Sequence, residues 1–94
     1  MEDYMLATRD IIIETLDVPS FELLKSAVGG KYVASYMYMA SYKLQSGMIV
    51  HTFKHIITRS YVNLSDDGRC WKYVSGGYTI VEREAAIRAT IGME

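Results

Sequence analysis

Ninety-four residues, 50% hydrophobic and 22% charged, suit one domain with a single core and exclude disorder. The net charge is −1, and no apolar run approaches the roughly 20 residues of a membrane span. The acidic start Met1-Glu2-Asp3-Tyr4 has no basic-then-apolar leader, so a cytoplasmic protein, of the cell or of an infected host, is expected. The single cysteine, Cys70, excludes an intrachain disulfide and a cysteine-built zinc cage, and it reads as a small buried apolar residue.

Punctuation at Pro19-Ser20, Gly29-Gly30, Ser46-Gly47, Ser65-Asp66-Asp67-Gly68 and Ser75-Gly76-Gly77 divides the chain into six segments. In the first, residues 3–16, Met5, Ile12 and Leu16 share a helical stripe that Asp3 can cap, which predicts a helix. Its Ile11-Ile12-Ile13 run is β-branched and suits a strand as well. The second segment is helical by several signs at once. Ser20 stands at the N-cap, Glu22 lies in the first turn where the helix dipole favours it, and Phe21, Leu24 and Val28 recur at helical spacing before Gly29-Gly30.

Segment three, Lys31 to Leu44, fits two periods. As a helix it aligns Val33, Met37, Ala40 and Leu44; as a strand it puts Tyr32, Tyr36, Tyr38 and Tyr42 on one face. Tyrosine density and the hairpin-like loop Gln45-Ser46-Gly47 favour the strand. Segment four, Met48 to Leu64, is rich in β-branched residues and predicts one long strand, with a bulge at Ile56-Ile57. The turn Ser65–Gly68 leads into a strand from Arg69 to Val74, and Ser75-Gly76-Gly77 turns again into Tyr78. Thr79-Ile80-Val81-Glu82 has capping-box spacing and predicts a helix to about Ile91, anchored by Ile80, Ile87 and Ile91. The expected fold is a single α+β domain over 1–94. It has two N-terminal helices, an antiparallel three- or four-stranded meander, and a C-terminal helix packed on the sheet.

The motifs argue against chemistry. His51-Thr52-Phe53-Lys54-His55 has Thr52 where a zinc protease needs its glutamate, and in a strand the two imidazoles simply flank Phe53. Asp66-Asp67 before a glycine is turn vocabulary. Cys70 has Arg69 beside it but no implied histidine partner, and Gly29-Gly30-Lys31 lacks the Ser/Thr of a phosphate loop. No catalytic residue, metal ligand or cofactor is expected, and the chain reads as a non-enzymatic binding protein.

Two binding readings follow. In the first, Tyr32, Tyr36, Tyr38 and Tyr42 form a protein-binding face, since tyrosine is stiff and amphipathic, and a long edge strand would also favour a homodimer. Small domains of this kind occur among inhibitors made by phages and mobile elements, anti-CRISPR proteins included. A host nucleic-acid-processing or defence complex is the expected partner class.

In the second reading, the chain binds nucleic acid. Residues 1–28 hold six acids against Arg9 and Lys25 (−4), whereas residues 29–81 hold six bases against Asp66 and Asp67 (+4). Lys43, Lys54, Arg59, Arg69 and Lys72 would form the phosphate patch. The helix–three strands–helix order over residues 19–91 resembles the double-stranded-RNA-binding domain. Where that family places lysines at the start of its last helix, this chain has Val81-Glu82-Arg83-Glu84-Ala85. A helical segment three would instead suit a winged helix-turn-helix, with Lys31–Gln45 as recognition helix.

Overall fold

The computed structural model describes residues 9–91. Its elements are β1 (Asp10–Leu16), α1 (Phe21–Val28), a 3-10 turn (Val33–Ser35), β2 (Tyr36–Leu44), β3 (Ile49–His55), β4 (Tyr61–Ser65), β5 (Cys70–Val74), β6 (Gly77–Val81) and α2 (Arg83–Ile91). The strands pair antiparallel in chain order, and β6 returns to β1 to close a six-stranded barrel. Among the described residues no helix is long and apolar enough to cross a membrane.

This architecture overturns the expected pair of N-terminal helices and the three- or four-stranded meander. Residues 10–16 form a strand, as the Ile11-Ile12-Ile13 run allows, which overturns the helix predicted over 3–16; its first part, 3–8, lies outside the described residues. A bulge at Ile13 keeps Ile12 turned inward while Ile13 points to solvent. The long strand predicted over Met48–Leu64 is broken into β3 and β4 by a turn at Ile56–Ser60. There His55 Nδ1 accepts the amides of Ile57 (3.2 Å) and Thr58 (3.1 Å), and Arg59 takes a positive φ of 66°. Thr79-Ile80-Val81 stays in β6, so the capping box does not form. Glu82 caps α2 instead, its carboxylate accepting the amides of Glu84 (3.2 Å) and Ala85 (2.8 Å). The helix α1 stands where predicted, although Ser20 contributes its carbonyl to Leu23 and Leu24 rather than a hydroxyl cap.

The two sheet faces bury different clusters. One cluster joins Leu44, Val50, Trp71 and Tyr78 with Ile12 and Tyr42, drawing on β1, β2, β3, β5 and β6. Residues converging from all round the sheet mark its interior. The other cluster joins Tyr36, Phe53, Val62, Leu64 and Cys70 with Leu24 of α1 and Ile87 and Ile91 of α2, so both helices cover the outer face. A bulge at Met39 lets β2 serve both: Tyr36 and Tyr38 pair opposite His55 and Phe53, whereas Ala40 and Tyr42 pair opposite Thr52 and Val50.

Closure rests on little ladder. Among the described residues β1 and β6 share only Asp10↔Tyr78 and Ile11↔Gly77. At Gly77 an added Cβ would lie 2.6 Å from Asp10 O, so only glycine lets the backbones meet. Gly77→Ala is expected to destabilise the protein by about 1–3 kcal/mol in urea titrations. Amide exchange should accelerate first in β1; unchanged stability would show that the β1–β6 contact does not hold the barrel shut.

Candidate binding pocket

The same economy of ladder opens a site between β4 and β5. β3 and β4 pair over five rungs, as do β5 and β6, but β4 and β5 share only Asn63↔Trp71 and Leu64↔Cys70. Beyond Trp71, β5 leaves β4 and carries β6 across to β1. Helix α2 bridges the gap so left. At its start, Arg83 reaches the Gly68 carbonyl; near its end, Tyr36 and Thr90 share a hydroxyl contact of 2.6 Å, and the Thr58 hydroxyl donates to the Thr90 carbonyl. The open-mouthed cavity that results measures about 960 Å³. Tyr42, Thr52 and Asn63 form one wall, Trp71, Tyr73 and Tyr78 a second, and Ala85, Ala86 and Ala89 of α2 a third. The alanines keep the helix wall thin, which is why the gap stays open.

The lining is aromatic and largely committed in its polar atoms. The Tyr78 ring lies 6.1 Å from Tyr42 and meets Tyr73 edge-on at 5.7 Å. Only 3% of Tyr78 is exposed, and burial first, then the phenols of Tyr42, Tyr73 and Tyr61, push its pKa up. Its hydroxyl is therefore a proton-bearing group at neutral pH. Trp71 Nε1 donates to Ser65 Oγ at 2.8 Å, and the Thr52 hydroxyl donates to Ala40 O at 2.9 Å. Asn63, 7% exposed, donates through Nδ2 to Trp71 O at 3.0 Å across the last shared rung. No described residue donates to its Oδ1, which keeps solvent-accessible surface on the pocket side and is not a buried orphan. Lys54 lies over the Tyr61 ring at 5.7 Å, and Arg69 over Trp71 at 5.8 Å.

The four tyrosines of segment three separate. Tyr32 precedes the 3-10 turn, and Tyr36 and Tyr38 lie on the outer face, with Tyr38 contacting Ser41 Oγ at 2.9 Å and accepting the Val18 amide at 3.1 Å. Only Tyr42 reaches the pocket, because the Met39 bulge turns the strand over above it. The five basic residues also divide. Lys54 and Arg59 stand at the β3–β4 turn, while Arg69 sits in the β4–β5 turn at the other end of β4, bonded to Asp67 at 2.7 Å. The Ser65 hydroxyl, ahead of Arg69, holds the Asp67 carboxyl below its ordinary range. Lys43 pairs across from Glu14, and Lys72 lines the pocket.

Sequence reasoning missed a second arrangement. His51 contacts Ser41 Oγ through Nδ1 at 2.8 Å and Asp66 Oδ1 through Nε2 at 2.8 Å. The three residue types are those of a hydrolase triad, but the exposure is reversed. Ser41 is 0% exposed while the Asp66 side chain is 67% exposed, so no substrate carbonyl reaches the hydroxyl. The chain instead ties the β4–β5 turn to β2, and no local signal in the sequence joins Ser41 to a residue 25 positions away.

Comparison with protein-family models, curated proteins and solved structures finds no match.

Three buried acids set the alkaline limit of the fold. Burial raises the pKa of Tyr36 and Tyr78 above the ordinary 10.0, and that of Cys70 above 9.0. Below those ordinary values both folded and unfolded chains are protonated and the contribution to stability is whole. Above them the unfolded chain ionises first, so stability falls until pH passes the raised folded values. Denaturation midpoints should hold steady to about pH 9 and then decline. Tyr78→Phe should flatten that decline; superimposable profiles would contradict the burial of this phenol.

Proposed function

We propose that this chain is a non-enzymatic binding module that takes an aromatic anchor from a protein partner into the pocket between β4, β5 and α2. The observation that carries the reading is an aromatic cavity of about 960 Å³ with exposed apolar residues at its mouth. Its volume lies within the roughly 300–1,000 Å³ common for ligand sites. Tyr73 is 56% exposed, Tyr61 48% and Met39 42%, and these residue types are enriched at interface cores. A buried aromatic in a desolvated pocket is the usual anchor of a protein interface.

The polar lining supports binding over catalysis. Glu82, Thr52 and Thr90 already direct their side-chain oxygens to backbone or neighbouring groups, and the Ser41–His51–Asp66 chain leans on the opposite face of the sheet. The partner class to screen first remains a host nucleic-acid-processing or defence complex, with this chain as its inhibitor. The nucleic-acid reading has less support, because the five basic residues do not form one patch: Lys54 and Lys72 stand near the pocket, Arg59 and Arg69 lie in turns at opposite ends of β4, and Lys43 pairs across from Glu14.

Ala89→Trp fills the pocket from an exposed helix position and tests the reading. The wild-type chain should retain a stoichiometric partner from lysate. The variant should lose it by roughly tenfold or more while its melting temperature stays within a few degrees. Equal retention would place binding elsewhere. Salt-sensitive retardation of nucleic acid, unaffected by Ala89→Trp, would favour the second reading.

A further inference from the structure

We infer that the pocket selects an uncharged planar aromatic ring bearing a hydrogen-bond donor on its edge, and that its occupant is a tryptophan side chain of the partner. This rests on the pocket being the binding site.

The selection comes from Asn63. An amide side chain offers two donor hydrogens on nitrogen and an acceptor oxygen, and orientation is fixed by its partners. The Trp71 carbonyl can only accept, so the atom 3.0 Å from it must be Nδ2. That leaves Oδ1 as an acceptor on a residue only 7% exposed, on the pocket wall. A ligand entering the cavity displaces solvent from this oxygen. A ring with an N–H at its edge replaces the lost hydrogen bond; one with an acceptor there leaves Oδ1 unpaired and repelled. Once the ring has closed the site to solvent, an acceptor left without a donor discriminates against ligands that lack one.

The surrounding rings set the shape. Tyr42 and Tyr73 hold Tyr78 between tilted and edge-on contacts, and a flat group meets these faces and edges in the arrangements aromatic rings prefer.

Charge disfavours a cationic ring. Among the described residues the lining has one carboxylate, Glu82, and its oxygens are turned to the Glu84 and Ala85 amides. Tyr61 already carries the Lys54 ammonium, and Lys72 adds a second positive group to the wall. A quaternary ammonium, an arginine or a protonated histidine would meet two cations against one carboxylate that is oriented towards the helix start. Indole fits what remains: it is neutral and flat, and its N–H donates without accepting.

The test needs no change at Asn63, whose substitution would also remove the tie to Trp71. Indole and benzofuran have nearly the same outline, but benzofuran carries an acceptor oxygen where indole carries the N–H. Both are titrated into the ¹⁵N-labelled full chain, with N-acetyl-tryptophanamide and adenosine as further probes and Ala89→Trp as the blocked control.

Indole and N-acetyl-tryptophanamide are expected to shift the Asn63 side-chain amide and the backbone amides of Tyr73 and Ala89. Benzofuran should bind roughly tenfold or more weakly, and Ala89→Trp should abolish every shift. Equal binding of benzofuran overturns the donor requirement and leaves the pocket reading standing. Binding of indole without N-acetyl-tryptophanamide overturns the side-chain source in favour of a free small molecule. Tighter binding of adenosine than of N-acetyl-tryptophanamide overturns it in favour of a nucleobase. If no probe shifts the pocket residues, both this inference and the pocket reading fall.

Discussion

Asn63 and Trp71 form the rung at which the sheet divides, and most of what distinguishes this barrel follows from that division. The β5–β6 hairpin has two neighbours to satisfy, β4 on one side and β1 on the other. Each connection receives two rungs. A hairpin that stayed paired to β4 along its full length would not reach Asp10 and Ile11, and the barrel would remain open at β1. Strand tilt and stagger are linked in any closed sheet; in this one the stagger appears as a gap beside β4. The Asn63 side chain secures the fork by bonding Trp71 O at 3.0 Å, and Trp71 is in turn held by Ser65 at 2.8 Å.

Helix α2 turns that gap into a pocket. Its alanines face the cavity while Ile87 and Ile91 pack on the outer core, so one short helix borders the site and covers the sheet. Tyr36 is the clasp at its far end, buried against the outer cluster and hydrogen-bonded to Thr90. The outer face therefore supports the inner one. Substitutions around Tyr36 would alter the pocket by moving α2, without any contact to a bound group.

Local features of this fold were legible in the sequence; its closure was not. Phe21, Leu24 and Val28 with the following glycines marked α1, and the strand favoured for Lys31–Leu44 forms over Tyr36–Leu44, with Tyr32 left outside it before the 3-10 turn. The register of that strand was hidden, because the extra residue Met39 sends Tyr42 to the opposite face from Tyr36 and Tyr38. Strict alternation assigns all of them one side, and a bulge is visible only from its partner strand. Residues 10–16 show a local ambiguity decided by tertiary pairing: helical spacing and β-branching competed, and contact with β2 and β6 favoured the strand. Asn63 carried no signal at all. Its role depends on Trp71, its partner across the fork.

The parting of β4 and β5 after Asn63↔Trp71 is read from cross-strand nuclear Overhauser contacts between backbone protons. Contacts are expected for Leu64 with Cys70 and for Asn63 with Trp71, and none for Val62 with Lys72 or Tyr61 with Tyr73. Contacts continuing to Tyr61 and Tyr73 would mean a zipped ladder and a closed pocket, and would contradict the parting.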